Sequence, residues 1–199
     1  IERYMLERGE AQLSENTRTD PSVGCYLNVA ALQLALDRLV REARTVTPFL
    51  KAHVVAAEKD REGHLTGVVI EDKSGRRVIR GKWFIDATGD ADLAFHAGFG
   101  TWKLPKCDMQ AHTLCAIFAN VDEIRKVHPA FSFAEMMKPS RGAGLKHVFQ
   151  WEAPVIGAPG LTFLAATRIS ACDPSIASDL TDALFDSRRQ LKRIVDATN

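Results

Sequence analysis

The strongest periodic pattern in the chain lies between residues 26 and 44. Apolar side chains recur there at helical spacing, and polar or charged side chains occupy most positions between them. Asn28 lies near the start of this stretch and is the predicted N-cap, because its side-chain oxygen can accept an early backbone N–H. The pattern predicts an amphipathic helix over residues 26–44, whose apolar face carries Leu32, Leu36, Leu39, Val40 and Ala43.

Three short strands with tight connections are predicted next. The strands cover residues 53–59, 65–71 and 77–83. Each connection is a four-residue turn that ends in glycine, and this spacing predicts an antiparallel β-meander. The last run becomes continuously apolar from Trp83 to Ile85, which is typical of a strand covered on both faces. We therefore expect the third strand to continue from the meander into a buried parallel sheet.

The remaining pattern predicts short helices and strands on both sides of a boundary near residue 105. Residues 91–98 are predicted to form a short helix that ends at Gly98. The fold class is predicted to be mixed α/β, with one domain over residues 1–105 and a β-rich second domain over 106–199. The later segments are predicted strands at 111–121, 146–151 and 161–169, a connector at 136–144, a turn at 154–160 and a helix at 180–197.

Composition and charge argue against several classes of protein. The 199 residues are 46% hydrophobic and 26% charged, with a formal net charge of +1. This balance offers no basic patch for nucleic acid, and no apolar run approaches the roughly 20 residues that span a bilayer. Four widely spaced cysteines without a C-x-x-C pair predict buried free thiols in a cytoplasmic protein and no metal site. They are Cys25, Cys107, Cys115 and Cys172.

The residues with the most chemical information are Asp86-Ala87-Thr88-Gly89-Asp90, directly after the last apolar run. A strand that ends at such a turn places backbone N–H groups and a carboxylate at the edge of a sheet, where nucleotide cofactors bind in open α/β folds. Gly89 would allow close backbone approach, and Thr88 would offer a hydroxyl and an N–H to an anion. The alternative is a simple strand-to-helix connection in which an aspartate caps the next helix.

Three stretches, the last of which contains this turn, make the chain resemble a known family. They are residues 31–39, residues 67–71, and residues 85–94 with Gly98. The chain resembles the FAD-dependent oxidoreductases that group with fumarate reductase and glutathione reductase flavoproteins. The resemblance implies a three-layer FAD-binding domain, of which residues 1–105 would form the second half, with part of a substrate domain over residues 106–199. Ala166-Thr167-Arg168 and Asp179-Leu180-Thr181 resemble that second part.

The resemblance also implies a cofactor and the residues near it. Thr88, Gly89 and Asp90 would lie near the FAD pyrophosphate, and Val54 or Val55 would face the adenine. The activity implied is hydride transfer between a small organic substrate and the flavin. No catalytic residue follows from the resemblance.

Two side chains are weak catalytic candidates. Arg168 follows an apolar strand and could bind a substrate carboxylate through paired hydrogen bonds, or lie in solvent or in a structural ion pair. His112 lies in a β-prone run that could line the cavity under a flavin, and a histidine can exchange protons near neutral pH. The simpler interpretation of His112 is a surface or core histidine.

The sequence departs from the family because it lacks the glycine-rich G-x-G-x-x-G unit. Because the chain also begins with Ile1, we expect an internal excerpt whose partners are the N- and C-terminal segments of its own chain. Such an excerpt would bind FAD weakly or not at all, and its exposed apolar edges would favour oligomers. Two alternatives remain: a cofactor-free interaction or assembly domain with a structural remnant of the nucleotide site, and, less favoured, a nicotinamide dehydrogenase.

Overall fold

The structure, a computed structural model, describes residues 1–13, 25–147 and 149–198. The chain divides into two compact units, and the first is discontinuous. It contains Ile1–Glu42 together with Leu104–Asn199, and the second unit is Ala43–Lys103. No pattern in the sequence indicated that residues 1–42 group with the C-terminal part. The assignment of residues 1–105 and 106–199 to cofactor and substrate domains stays a prediction.

The first unit contains five helices and two small sheets among its described residues. In chain order its elements are α1 (Glu2–Glu7), β1 (Ala11–Leu13), β2 (Cys25–Leu27), α2 (Val29–Glu42), β6 (Cys115–Ala119), α4 (Val121–Val127), α5 (Phe133–Met137), β7 (Trp151–Pro154), β8 (Leu161–Ala165) and α6 (Ala177–Thr198). The second unit contains β3 (His53–Lys59), β4 (Leu65–Asp72), β5 (Gly75–Arg80) and α3 (Asp92–His96). The predicted mixed α/β class is confirmed.

The core of the first unit lies on one face of the antiparallel sheet β6-β8-β7. Leu164 of β8 is 1% exposed and packs with helices α4, α5 and α6. The apolar stripe of α6 continues this core at Ile194, which has no exposed surface. Burial of these side chains is the main driving force for folding of this unit. The core cluster is Val121, Phe133, Met137, Ala143, Leu145, Leu164, Ala166 and Ile194.

Helix α2 confirms the predicted helix over Val29–Glu42, whereas residues 26 and 27, also predicted as helix, belong to β2. The apolar face of α2 is largely uncovered. Only Ala35 of this helix is buried, whereas Leu36 is 43% exposed and Leu39 is 48% exposed. The predicted N-cap is confirmed, because Asn28 Oδ1 accepts hydrogen bonds from the N–H groups of Ala30 and Ala31 at 3.1 and 3.2 Å. The periodicity therefore predicted the helix correctly, and the described residues do not supply the surface that would cover it.

We expect replacement of Asn28 to destabilise the first unit by two separable effects. Besides capping α2, the Asn28 side-chain N–H donates to the carbonyl of Ile156 at 2.9 Å, across 128 positions in sequence. Asn28→Ser keeps a capping oxygen but loses that reach, while Asn28→Ala loses both. Loss of the cap alone should cost about 0.5–2 kcal/mol. Urea denaturation of both variants measures the two contributions, and equal stability of the serine and alanine variants would show that the cap contributes nothing.

The second unit contains the predicted meander. Strands β3, β4 and β5 form an antiparallel sheet in that order, with the predicted turns between them. Helix α3 packs against β3 and ends, as predicted, before Gly98, which has a left-handed φ of 69°. The hydrophobic periodicity and the turn glycines were therefore sufficient to predict the meander and α3 of this unit.

The predicted buried strand at Trp83–Ile85 is wrong for this structure. Strand β5 ends at Arg80, and residues 81–91 form no strand. Trp83 is 92% exposed and Ile85 is 90% exposed. A strand in a parallel sheet requires neighbouring strands on at least one edge, and none of the described strands pairs with this segment. The apolar run is present, but the described residues contain no parallel sheet that it could join.

Two further predictions differ from the structure in the first unit. The strand predicted at 146–151 lies at Trp151–Pro154 instead, and helices α4 and α5 were not predicted. The C-terminal helix is confirmed and begins three residues earlier than predicted, at Ala177. The turn-rich residues 19–24 lie outside the described residues. Among the described helices, none is both long and apolar enough to cross a bilayer.

Candidate functional site

The turn that precedes α3 is organised by Asp86. Its Oδ1 accepts hydrogen bonds from the N–H and the hydroxyl of Thr88, at 3.1 and 2.7 Å. Its Oδ2 accepts from the N–H of Ala94 at 3.0 Å, and Thr88 Oγ1 accepts from the N–H of Asp92 at 2.9 Å. The first turn of α3 is thus bonded by side chains from the segment before it. Sequence reasoning proposed that an aspartate caps this helix but did not single out Asp86.

These contacts occupy both donors of Thr88 that were predicted to face an anion. Its N–H and its hydroxyl proton are both donated to Asp86, so neither is available to an anion. The signal that could have shown this is the spacing of Asp86 and Thr88, because an aspartate readily bonds the N–H two residues ahead.

The donors that remain available lie immediately after Thr88. The main-chain N–H groups of Gly89, Asp90 and Ala91 form no hydrogen bond with any described residue. Gly89 and Ala91 have left-handed φ angles of 94° and 59°, and a side chain at Gly89 would meet nothing within 4 Å. Successive free N–H groups in such a turn form an anion-binding concavity. The turn therefore fits a phosphate through its main chain, while the Asp90 carboxylate would repel one.

Val54, the predicted adenine contact, lies in β3 of the same unit. It is half-buried and pairs with Ile70, but the next pair is Ala56 with Val69. One residue, Val55, is therefore extra on this strand, which makes a β-bulge. Bulges free a backbone group from the ladder and are common next to binding sites. No contact in the structure tests whether Val54 meets an adenine.

In the first unit, an isolated β-bridge lies next to both weak catalytic candidates. The N–H groups of His112 and Ile169 each donate to the other residue's carbonyl, at 2.9 and 3.0 Å. Arg168 directly precedes Ile169 and belongs to no strand. The backbones of His112 and Arg168 are therefore close, but no hydrogen bond among the described residues joins their side chains.

Arg168 lies beside an irregularity in this strand pair. Cys115 pairs with Ala165 and His112 pairs with Ile169, so two residues between these pairs on one side lie opposite three on the other. Thr167, 2% exposed, fills the gap: its hydroxyl accepts from the Leu114 N–H at 2.7 Å and donates to the Leu114 carbonyl at 3.2 Å. The guanidinium of Arg168 is exposed and has no ion-pair partner among the described residues.

The sheet β6-β8-β7 has a second face, opposite the core, that is apolar and partly open. Trp151 and Phe163 lie on it with their ring centroids 5.4 Å apart. Tyr26 of β2 stacks on Trp151 at 6.3 Å and covers part of this face. Ile117 of β6 remains 58% exposed. An apolar face of this kind is suited to a ligand with a flat apolar body.

Comparison with known proteins decides the family. A family model described as FAD dependent oxidoreductase matches residues 1–198, nearly the whole chain. The chain belongs to the FAD-dependent oxidoreductase family. No curated protein and no solved structure matches the chain. The family assignment therefore rests on the pattern along the sequence, and the roles of single residues rest on the geometry above.

The contribution of the turn at Asp86 to folding stability should depend on pH. The hydrogen bond from the Ala94 N–H, followed by those from Thr88, holds the pKa of Asp86 below its ordinary value. A lowered pKa in the folded state means that the ionised carboxylate stabilises the fold above the unfolded value, about 3.9. This stabilisation is lost as the pH falls through the folded-state pKa.

We therefore expect Asp86→Asn to lower the melting temperature of this oxidoreductase at neutral pH, and the deficit to shrink as the pH falls below about 4. Asp90→Asn is the matched control, since the Asp90 carboxylate forms no hydrogen bond among the described residues. Thermal melts followed by circular dichroism from pH 7 downward give both comparisons. A deficit that persists unchanged at low pH, or an equal deficit in the control, would contradict this role of Asp86.

The cysteines of this oxidoreductase are free, but they are not uniformly buried as the sequence suggested. Cys172 is buried, Cys25 is half-buried, and Cys107 and Cys115 are exposed. Burial raises the pKa of the Cys172 thiol, and partial desolvation raises the pKa of the Cys115 thiol although that residue is exposed. A thiol with a raised pKa is less often in the reactive thiolate form.

One group of potential metal ligands lies in the described residues, in the turn between β3 and β4. The ligand atoms of Asp60, Glu62 and His64 lie within 4.8 Å of one another, and all three residues are exposed. The Asp60 carboxylate accepts from the N–H groups of His64 and Glu62, at 2.8 and 3.0 Å. These bonds, with that from His64 first, lower the pKa of Asp60. These hydrogen bonds give Asp60 a structural role in forming the turn.

Proposed function

We propose that the protein transfers a hydride between a small organic substrate and FAD. The observation that carries the proposal is the turn at residues 86–91, where Asp86 fixes the backbone and the N–H groups of residues 89–91 bond to no described residue. Membership in the FAD-dependent oxidoreductase family supplies the cofactor that such a turn would serve. FAD, when bound, supplies the redox chemistry, and the protein supplies position and electrostatics.

In this proposal the main chain of the turn holds the pyrophosphate of FAD. The N–H groups of Gly89 and Ala91 donate to phosphate oxygens, and Gly89 permits the close approach. Asp90 stays away from the phosphates because like charges repel, and its carboxylate can accept from a hydroxyl of the cofactor. Val54, beside its bulge, contributes an apolar contact to the adenine.

The substrate is proposed to carry a carboxylate that Arg168 binds. An unpaired guanidinium presents paired N–H groups that match the two oxygens of a carboxylate. The partly open apolar face with Trp151 and Ile117 would contact the body of the substrate. His112 is not assigned a role in proton transfer, because no contact among the described residues links its side chain to Arg168.

A second candidate function is an interaction or assembly domain without a cofactor. The specific observation in its favour is the exposure of large apolar side chains, above all Trp83 at 92% and Ile85 at 90%. Exposed apolar surface of this kind marks sites of association, either with other segments of the same chain or with a second copy.

We propose a cytoplasmic location on the basis of the free thiols.

Substrate-dependent reduction of the flavin tests the proposed function. The protein in its full natural length, loaded with FAD, is mixed anaerobically with 2-hydroxy acids, amino acids and dicarboxylic acids, and the visible flavin band is followed. We expect at least one class of acid to bleach the band, and Arg168→Met to slow the bleaching. A flavin that dithionite reduces fully but that none of these acids reduces would contradict a carboxylate substrate as hydride donor.

A further inference from the structure

Gln190 is a polar side chain near the inward stripe of α6. Ala183, Ser187 and Ile194 mark that stripe at helical spacing, with 5%, 3% and 0% exposure, and Gln190 is half-buried. A polar side chain in such a place costs free energy unless it is hydrogen-bonded. Its partner is the main chain of Arg168, 22 positions earlier in the sequence.

The contact between Gln190 and Arg168 uses both ends of the side-chain amide. The Arg168 N–H donates to Gln190 Oε1 at 2.9 Å, and Gln190 Nε2 donates to the Arg168 carbonyl at 3.1 Å. On either side, Thr167 and Ile169 are bonded to the neighbouring strand. Both main-chain hydrogen-bonding groups of Arg168 are therefore fixed by Gln190, while its guanidinium has no ion-pair partner among the described residues.

We propose that Gln190 is the positioning residue of Arg168. It fixes the main chain of Arg168, from which the guanidinium side chain extends to bind an organic carboxylate. This inference rests on the proposed function, in which Arg168 binds the substrate carboxylate. A binding group whose backbone is already fixed loses less freedom when the ligand arrives, so affinity depends on the support as well as on the charge. The irregularity at Thr167 removes the regular ladder partners of this segment, and the Gln190 amide takes their place at Arg168.

The experiment compares a carboxylate with its neutral isostere in the FAD-loaded protein of full natural length. Benzoate and benzamide are titrated by calorimetry against the wild type, Gln190→Met, Arg168→Met and Gln33→Met. Methionine matches glutamine in length but cannot form the two hydrogen bonds. Gln33 is the matched control, because it is an exposed glutamine on α2 with no hydrogen bond from its side chain among the described residues.

We expect the wild type to prefer benzoate, and Arg168→Met to weaken benzoate binding at least about tenfold with benzamide unchanged. Gln190→Met should also weaken benzoate by about tenfold without affecting benzamide, because misplacement of a binding group costs this much or more. Gln33→Met should change neither ligand. A merely structural role of Gln190 would weaken both ligands together, and that result would overturn the inference.

The failures of the two proposals are distinguishable. If Arg168→Met weakens benzoate but Gln190→Met does not, the positioning role of Gln190 is wrong and the substrate anchor at Arg168 stands. If the wild type binds benzoate no better than benzamide, the anchor itself is wrong, and the role of Gln190 falls with it.

Discussion

Replacing Phe133 by alanine should lower the free energy of unfolding by about 3–5 kcal/mol. Phe133 has no exposed surface, and its ring lies edge-on to Phe118 at 5.3 Å and to Phe131 at 5.1 Å. It joins α5 to the core-facing side of the sheet β6-β8-β7. Truncation would remove this buried surface and leave a cavity between elements that cannot fully close around it.

Urea denaturation followed by circular dichroism measures this loss, and Phe149→Ala is the matched control. Phe149 belongs to the same unit but is 71% exposed, so its truncation should change stability by less than about 0.5 kcal/mol. Similar losses in the two variants would mean that the core of the first unit is not where the structure places it.

The second large effect is expected at Gly89, where alanine should weaken FAD binding about tenfold or more. Gly89 has a φ of 94°, which a residue with a Cβ adopts only with strain. Relief of that strain would turn the N–H groups of residues 89–91 away from a common point, and a tenfold loss corresponds to about 1.4 kcal/mol.

Gly63→Ala separates loss of the binding site from loss of stability. Gly63 lies in the β3–β4 turn of the same unit, has a φ of 89°, and also has nothing within 4 Å of an added Cβ. Both variants should therefore be destabilised to a similar extent, but only Gly89→Ala should lose FAD affinity in fluorescence titrations. Equal loss of affinity in both variants would assign the effect to general destabilisation and contradict a cofactor role for the turn.

The local elements could be predicted from the sequence because their signals are local. Alternation and turn glycines predicted the β-meander, and the spacing of Leu32, Leu36 and Leu39 with Asn28 predicted a capped helix. The same patterns indicate which side chains can be buried but not what buries them. This is why the apolar face of α2 and the run at Trp83–Ile85 are exposed among the described residues.

The turn proposed as the site could be singled out in the sequence, but the contacts within it could not. The turn at residues 86–90 was identified from its composition, yet the side chain that organises it is Asp86, and the donors of Thr88 are used internally. In the first unit, the relation of His112 to Arg168 depends on a one-residue irregularity at Thr167. Such a shift moves a side chain to the other face of a strand, and no periodicity in the sequence reveals it.

The measurement that tests the central claim most directly is the flavin content of the protein purified in its full natural length. The visible spectrum is recorded before and after addition of FAD and removal of the excess, and the flavin is then released by heat and quantified. The account predicts a two-band flavin spectrum with about one equivalent of FAD per chain. A protein that is colourless and takes up no added FAD would contradict it and leave the interaction domain as the better explanation of the exposed apolar surface.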